Sequence, residues 1–310
     1  MNTKRAGWAY MWMVIFYIGA SLVMSFLFEE ANTLLAALLT ELILIVPVVY
    51  YVSRSRAGLR EQLHLKGIKP STVVLSLVYL MCCYPMVLSM NAFSMAVSGN
   101  NEAMDITGEF MGLPAFIVWL IIGFVGPVVE EIAFRGAIMG GLLSTGRIFT
   151  PALLSGLLFG LMHMNLNQFS YTFCVGVMWG LLVEASGSIL TSMICHVTMN
   201  SISVIMVFAL GDSMQELEEL VGQGGAEVSA AQYISVGMVF LMIGIGFTAL
   251  ALLLLRVIAL NEGRTGCFEN IFRRKRRGER YGSLFSVPLV VGMILSFAMI
   301  VFTLVLERLW

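Results

Sequence analysis

Apolar residues run along this chain in blocks longer than a soluble helix or strand requires. Nine stretches are almost free of charge: 9–28, 34–52, 73–97, 113–143, 150–164, 168–186, 189–210, 233–259 and 285–306. A spanning helix needs about 20 consecutive, mostly apolar residues. The pattern therefore predicts an all-α, polytopic transmembrane bundle of eight to nine spans. The fourth block exceeds one crossing, so it is expected to tilt, to break near Gly126-Pro127, or to extend beyond the lipid. The fifth is short enough to be a partial crossing. The first is too long for a cleavable signal and lacks a small-residue cleavage site before the next block.

The connecting segments sort by sign. Lys4 and Arg5 precede the first block, and 53–70 holds Arg54, Arg56, Arg60, Lys66 and Lys69 against Glu61. Segment 261–284 holds Arg264, Arg273, Arg274, Lys275, Arg276, Arg277 and Arg280 against three acids. By contrast, 98–112 carries Glu102, Asp105 and Glu109, and 211–232 carries Asp212, Glu216, Glu218, Glu219 and Glu227, with no Lys or Arg in either. Basic loops stay cytoplasmic. Nine crossings then alternate without exception, with the N-terminus inside and the C-terminus outside. Segment 53–70, with Leu59, Leu63 and Leu65 among its charges, is expected to be an interfacial helix.

Composition narrows the class further. Of 310 residues, 59% are hydrophobic and 12% charged, against about 45–50% and about 25% in soluble domains. That excludes a soluble globular enzyme, a disordered tail and a nucleic-acid binder. The run Arg273–Arg277 reads as a topology determinant touching anionic headgroups rather than a nucleic-acid patch. Five cysteines (82, 83, 174, 195 and 267) show no paired spacing and support neither a disulfide framework nor a zinc ribbon. Three regions are expected: N-terminal helices with the cytoplasmic linker over 1–112, a chemistry-bearing group over 113–210, and C-terminal helices over 211–310 with the basic linker 261–284. The ninth span reads as an appendage behind that linker.

Ionisable groups inside a bilayer cost several kcal/mol on most scales and mark function by default. Here they are Glu41, Glu130, Glu131, Arg135, His163, Glu184 and His196. Glu131 and Arg135 stand four apart and pair on a helix. Glu130, rotated about 100° from its neighbour, is left available to take a proton from water and return it. The competing reading has both carboxylates merely satisfying Arg135 or nearby backbone. Phe159 and His163 also stand four apart, so the ring can pack on the imidazole; a buried, purely structural histidine is the alternative. His196 and Asn200 share one helix face and offer two donors to one point, as a developing oxyanion needs, or they join helices. Glu184, near a span end, is expected to reach the interface, and Glu41, mid-span, to contact substrate or another helix, with helix packing favoured.

Other chemistries fail on pattern. No His-Glu-x-x-His is present. Asp105 and Asp212, the two aspartates, both fall in expected loops. The serines beside glycine lack a nucleophile elbow, and Cys195 points about 100° away from His196 on a helix.

The three segments resemble the CAAX protease and bacteriocin-processing (CPBP or Abi) family. Its motifs Glu-Glu-x-x-x-Arg, Phe-x-x-x-His and His-x-x-x-Asn stand here, in order, as Glu130-Glu131-x-x-x-Arg135, Phe159-x-x-x-His163 and His196-x-x-x-Asn200. The resemblance covers roughly 115–210. It implies an eight-helix core and an intramembrane endopeptidase acting on a membrane-associated peptide or protein. In it Glu130 activates water with His163, His196 and Asn200 stabilise the oxyanion, and Glu131–Arg135 and Phe159 support them. The family has also been described as metal-dependent. One divalent ion, zinc foremost, held by Glu130, His163 and His196 is thus the alternative to no cofactor. The chain looks more like the prokaryotic members, in a plasma membrane, than like enzymes cutting prenylated tails. Two further readings stand beside it: a non-catalytic scaffold or bacteriocin-immunity protein, and a proton-coupled transporter using Glu41, Glu130 and Glu184. Transport predicts internal repeats, and none is visible.

Overall fold

The computed structural model describes residues 1–27, 33–54, 58–99, 101, 107–223, 228–266 and 282–309, and every regular element among them is helical. The basic run Arg273–Arg277 and residues Glu102, Asp105, Glu227 and Cys267 lie outside the described residues. The helices are α1 (Thr3–Leu27), α2 (Thr33–Ser53), the single turn α3 (Leu59–Gln62) and α4 (Pro70–Ser98). Next come α5 (Ala115–Leu143), α6 (Phe149–Met162) and α7 (Leu166–Ser186). The last are α8 (Ile189–Gln223), α9 (Ala230–Asn261) and α10 (Val287–Leu309). Eight are long and apolar enough to cross a membrane: the chain is an integral, multi-pass helical membrane protein.

All nine apolar blocks are helices, and α6 is the partial crossing. Its 14 residues rise about 21 Å at 1.5 Å each, short of a hydrocarbon core about 30 Å thick. It turns at His163-Met164-Asn165 and returns as α7. Small residues allow this hairpin to close. A Cβ on Gly156 would meet the backbone N of Val177 at 2.6 Å, and one on Gly176 the Cα of Gly156 at 2.7 Å. Ala152 and Gly180 meet one turn along. Lipid gives helices no hydrophobic reason to associate, so such close backbone contact is what joins them.

Of the alternatives for the fourth block, tilt, break or extension, the break at Gly126-Pro127 does not occur. Helix α5 runs through, with Gly126 at φ −52°, ψ −59°, because two π-helical stretches, Trp119–Val125 and Ile132–Met139, flank the α-helical Gly126–Glu131. Pro127 lacks an N–H and threatens the carbonyl four residues back. That carbonyl belongs to Gly123, within the first π stretch, where bonds reach five residues instead.

Segment 53–70 is not an interfacial helix. Among its described residues between the flanking helices only Leu59–Gln62 is helical, and the chain folds against the bundle end, where Leu63 is buried and packs on Gly136. The reason is backbone pairing: the Ile189 N–H donates to the His64 carbonyl at 3.1 Å, and the Ser188 hydroxyl to that of Lys66. On the same end, Arg5 donates to the Arg54 carbonyl at 3.0 Å and the Lys69 N–H to Glu262 at 3.0 Å. Arg264 reaches the Glu184 carbonyl at 3.1 Å. These contacts gather alternate helix ends on one face, the order the charge pattern requires. On the opposite side, 211–223, expected in a loop, continues α8.

Nor is α10 an appendage. Ser296 bonds the Tyr10 hydroxyl of α1 at 3.0 Å, with both residues buried, and Gly292 sits against Tyr10 and Met11. Thr303 donates to the Met164 carbonyl at 3.0 Å and so braces the α6–α7 turn.

Candidate functional site

The three motif-bearing segments converge at the inner wall of a cavity of about 1050 Å³, which Glu130, His163, His196 and Asn200 all line. Glu131 and Arg135, fully buried, pair at 2.8 Å as the spacing required. The same Glu131 oxygen lies 3.0 Å from His196 Nδ1, and His196 Nε2 lies 3.4 Å from Glu130 Oε2. The two adjacent glutamates thus address opposite nitrogens of one ring. Glu131 ends the α-helical stretch of α5, and the π-helical stretch beyond it carries Arg135 behind it. Arg135 Cζ stands 4.3 Å over the Phe159 ring and 5.4 Å from the Trp179 ring. A desolvated cation gains from such faces.

Phe159 organises both imidazoles. Its ring meets His163 at 4.9 Å and His196 at 5.8 Å, each nearly edge-on. Its carbonyl lies 2.9 Å from His163 Nδ1. The turn beyond is pinned by Asn165, whose side chain accepts the Gln168 N–H at 2.7 Å and donates to the His163 carbonyl at 3.1 Å. Met164 between them is buried with φ +54°, a conformation few L-residues adopt.

Hydrogen-bond roles are set by the partners. A carbonyl only accepts, so His163 Nδ1 carries the proton and a neutral ring presents the Nε2 lone pair. Glu131, already paired with Arg135, accepts from His196 Nδ1. The Glu130–His196 contact is then attractive only with one proton between them, on Nε2 or on the carboxyl.

The expected partnership of Glu130 with His163 is not a direct contact: both line the cavity, but the imidazole against Glu130 is that of His196. Asn200 donates to the Ile122 carbonyl of α5 at 3.1 Å, as helix association would have it, while also lining the cavity. Among the described residues no three His, Cys, Asp or Glu side chains, Glu130, His163 and His196 included, are already gathered to hold an ion. Cys195 turns away from the site to the Ser76 carbonyl at 3.3 Å. Glu184 pairs with Arg264 at 3.9 Å near the helix ends.

Two features escaped the sequence reading. Trp179 packs on His196 at 4.5 Å between ring centres; a lone tryptophan in an apolar block gives no sign of its neighbour. Glu41, for which the sequence favours helix packing over substrate contact, lines the cavity with Glu130; its charge within a span was the available signal.

The site is therefore that of a helical membrane protein with a carboxylate–imidazole pair inside an apolar chamber. Residues 112–202 match the family described as Type II CAAX prenyl endopeptidase Rce1-like. Over 109 residues the chain is 30% identical to "Putative membrane peptidase YdiL" of Bacillus subtilis (strain 168), a match spanning 35% of this chain and 43% of that relative. The chain thus matches less than half the length of that relative. No solved structure matches it significantly. All three motifs fall within 112–202, so the matches support the resemblance they carry, to the CPBP membrane proteases.

Proposed function

We propose that this chain is an intramembrane endopeptidase, N-terminus cytoplasmic, in a prokaryotic plasma membrane, cleaving a membrane-associated peptide or protein through water activated by Glu130. The observation that carries the reading is the Glu130–His196 contact at 3.4 Å, opening on a chamber large enough for a peptide segment. With the shared proton on His196, Glu130 is a carboxylate and takes a proton from water held also by the His163 Nε2 lone pair. The hydroxide adds to the scissile carbonyl carbon. His196 Nε2–H faces the resulting oxyanion, and in a water-poor chamber such a donor is worth most. The second N–H of Asn200 is the other candidate donor. As the C–N bond breaks, Glu130 returns its proton to the leaving nitrogen, and no acyl-enzyme forms. Glu131 and Arg135 fix the His196 ring. The scheme runs no step through a metal ion.

The test is hydrolysis of a panel of membrane-associated peptides by purified protein in lipid, wild type beside Glu130→Gln, with and without chelator. The reading expects cleavage by wild type, none by folded Glu130→Gln, and no chelator effect. Equal cleavage by both proteins would sink it; loss with chelator and recovery on added zinc would replace the water-activation scheme with a metal one.

A further inference from the structure

A helix outside the three motif segments brings to the cavity a charge that the hydrolytic scheme does not use. Glu41, on α2, lines the same chamber as Glu130. Its Oε2 is buried without a hydrogen-bond partner.

Charge accounting isolates this residue. Glu131 is balanced by Arg135, and Glu130 has the His196 imidazole 3.4 Å away. No Lys or Arg lines the chamber among the described residues. Three of the hydroxyls on its wall are turned to backbone: Thr172 donates to Gln168, Ser203 to Met199, and Thr303 to Met164. The remaining lining is dominated by aliphatic, aromatic and methionine side chains such as Leu44, Tyr84, Val87, Met199, Met299 and Phe302. A carboxyl in such surroundings pays its desolvation without return unless a donor or a cation meets it. Nothing on the described wall does so.

We propose that Glu41 anchors a basic group of the substrate, a lysine or arginine side chain or a free amine close to the scissile bond. The apolar wall receives the rest of the segment. Cleavage after binding rests on the peptidase reading; binding itself does not. The preferred occupant is an apolar peptide segment interrupted by one cation. Pairing with Glu41 neutralises the second carboxyl of the chamber and leaves Glu130 free to act on water. Glu41 is a specificity residue in this scheme and moves no proton.

The experiment uses three synthetic apolar helices of about 20 residues, long enough to span, identical except for one central lysine, norleucine or glutamate. Each is reconstituted with the protein in phosphatidylcholine vesicles. Binding is read by photocrosslinking on the Glu130→Gln background, so that it stands apart from turnover, and cleavage is read on the Glu130 background. The lysine peptide is expected to bind at least about tenfold more tightly than the norleucine one, as one desolvated charge pair allows. In Glu41→Gln that ratio falls toward one, and in Glu41→Lys a glutamate peptide becomes the preferred one. Equal binding of the lysine and norleucine peptides by the Glu41 protein would overturn the proposal, whatever the variants do. A lysine preference that persists in Glu41→Gln would also overturn it. A Glu41-dependent lysine preference without any cleavage would keep the anchor and remove the peptidase reading instead.

Discussion

Glu131 Oε1 stands 3.0 Å from Nδ1 of His196, and this contact decides that Nε2 is the nitrogen turned toward Glu130. Because the same oxygen also holds Arg135 at 2.8 Å, Glu131 is the hinge between a buried cation and the imidazole at the chamber.

Glu131→Ala is therefore expected to act twice. It leaves the Arg135 guanidinium buried without its counter-charge, a loss of about 3–5 kcal/mol for a broken buried pair. It also frees the His196 ring. Unfolding monitored in detergent or bicelles should show the destabilisation. Arg135→Met with Glu131→Gln together should recover much of it, because the charge imbalance is gone. If the double variant is no more stable than the single, the pair is not the source of the loss.

Phe159 supplies a face to Arg135 at 4.3 Å and edges to two histidines. Phe159→Leu keeps apolar volume but removes the ring. Its stability loss should stay below about 1.5 kcal/mol, as for volume-conserving swaps, while Phe159→Ala should lose about 3–5 kcal/mol. Peptide hydrolysis should fall in both, since each leaves His163 and His196 without the ring that positions them. Full activity in Phe159→Leu would assign the residue to packing alone.

The membrane class, the helical blocks and the pairing of Glu131 with Arg135 are legible in the sequence because each rests on one local rule: apolar length, or spacing of four on a helix. The sequence hides what depends on a distant helix. Which imidazole meets Glu130 is set by α5 against α8, and no spacing within either encodes it. The passage of α5 through Gly126-Pro127 depends on π-helical turns, which have no simple residue signature. The fold of 58–69 turns on pairing with Ser188 and Ile189, more than a hundred residues away. Glu41 was visible as a charge within a span, but its chamber requires α2, α5 and α10 together.

The α6–α7 crossing gives a contrast between two glycines. Gly156 is met by Val177 backbone at 2.6 Å, whereas nothing lies within 4 Å of a Cβ on Gly246 of α9. Gly156→Ala should push the hairpin apart and cost about 1–3 kcal/mol, as overpacking does. Gly246→Ala should be neutral or gain about 0.5–1 kcal/mol in helix preference. The hairpin carries Phe159 and His163, so Gly156→Ala should also depress hydrolysis while Gly246→Ala leaves it intact. Unfolding midpoints of the two variants, measured side by side, check the ordering.

Acid should loosen the face that holds the basic segments, through Glu262 just beyond the end of α9. Partial burial pushes its carboxyl up, but the Lys69 N–H, the Thr72 hydroxyl and the charges of Lys66 and Lys69 outweigh that and hold it below its ordinary value of 4.5. A carboxyl whose folded value is depressed binds its proton more readily in the unfolded chain. Its contribution is therefore complete above about 4.5, the unfolded value, and is lost as pH falls through the lower, folded one. Glu262→Gln should unfold at a lower temperature than wild type at pH 7, and the gap should shrink as pH is lowered below that unfolded value. Tethering of α9 to α4 through Asn261, which donates to Ser71 and Thr72 at 2.8 Å each, does not titrate and should persist in both proteins. A gap between the two midpoints that stays constant from pH 7 into the acid range would show that Glu262 is held by shape and not by charge.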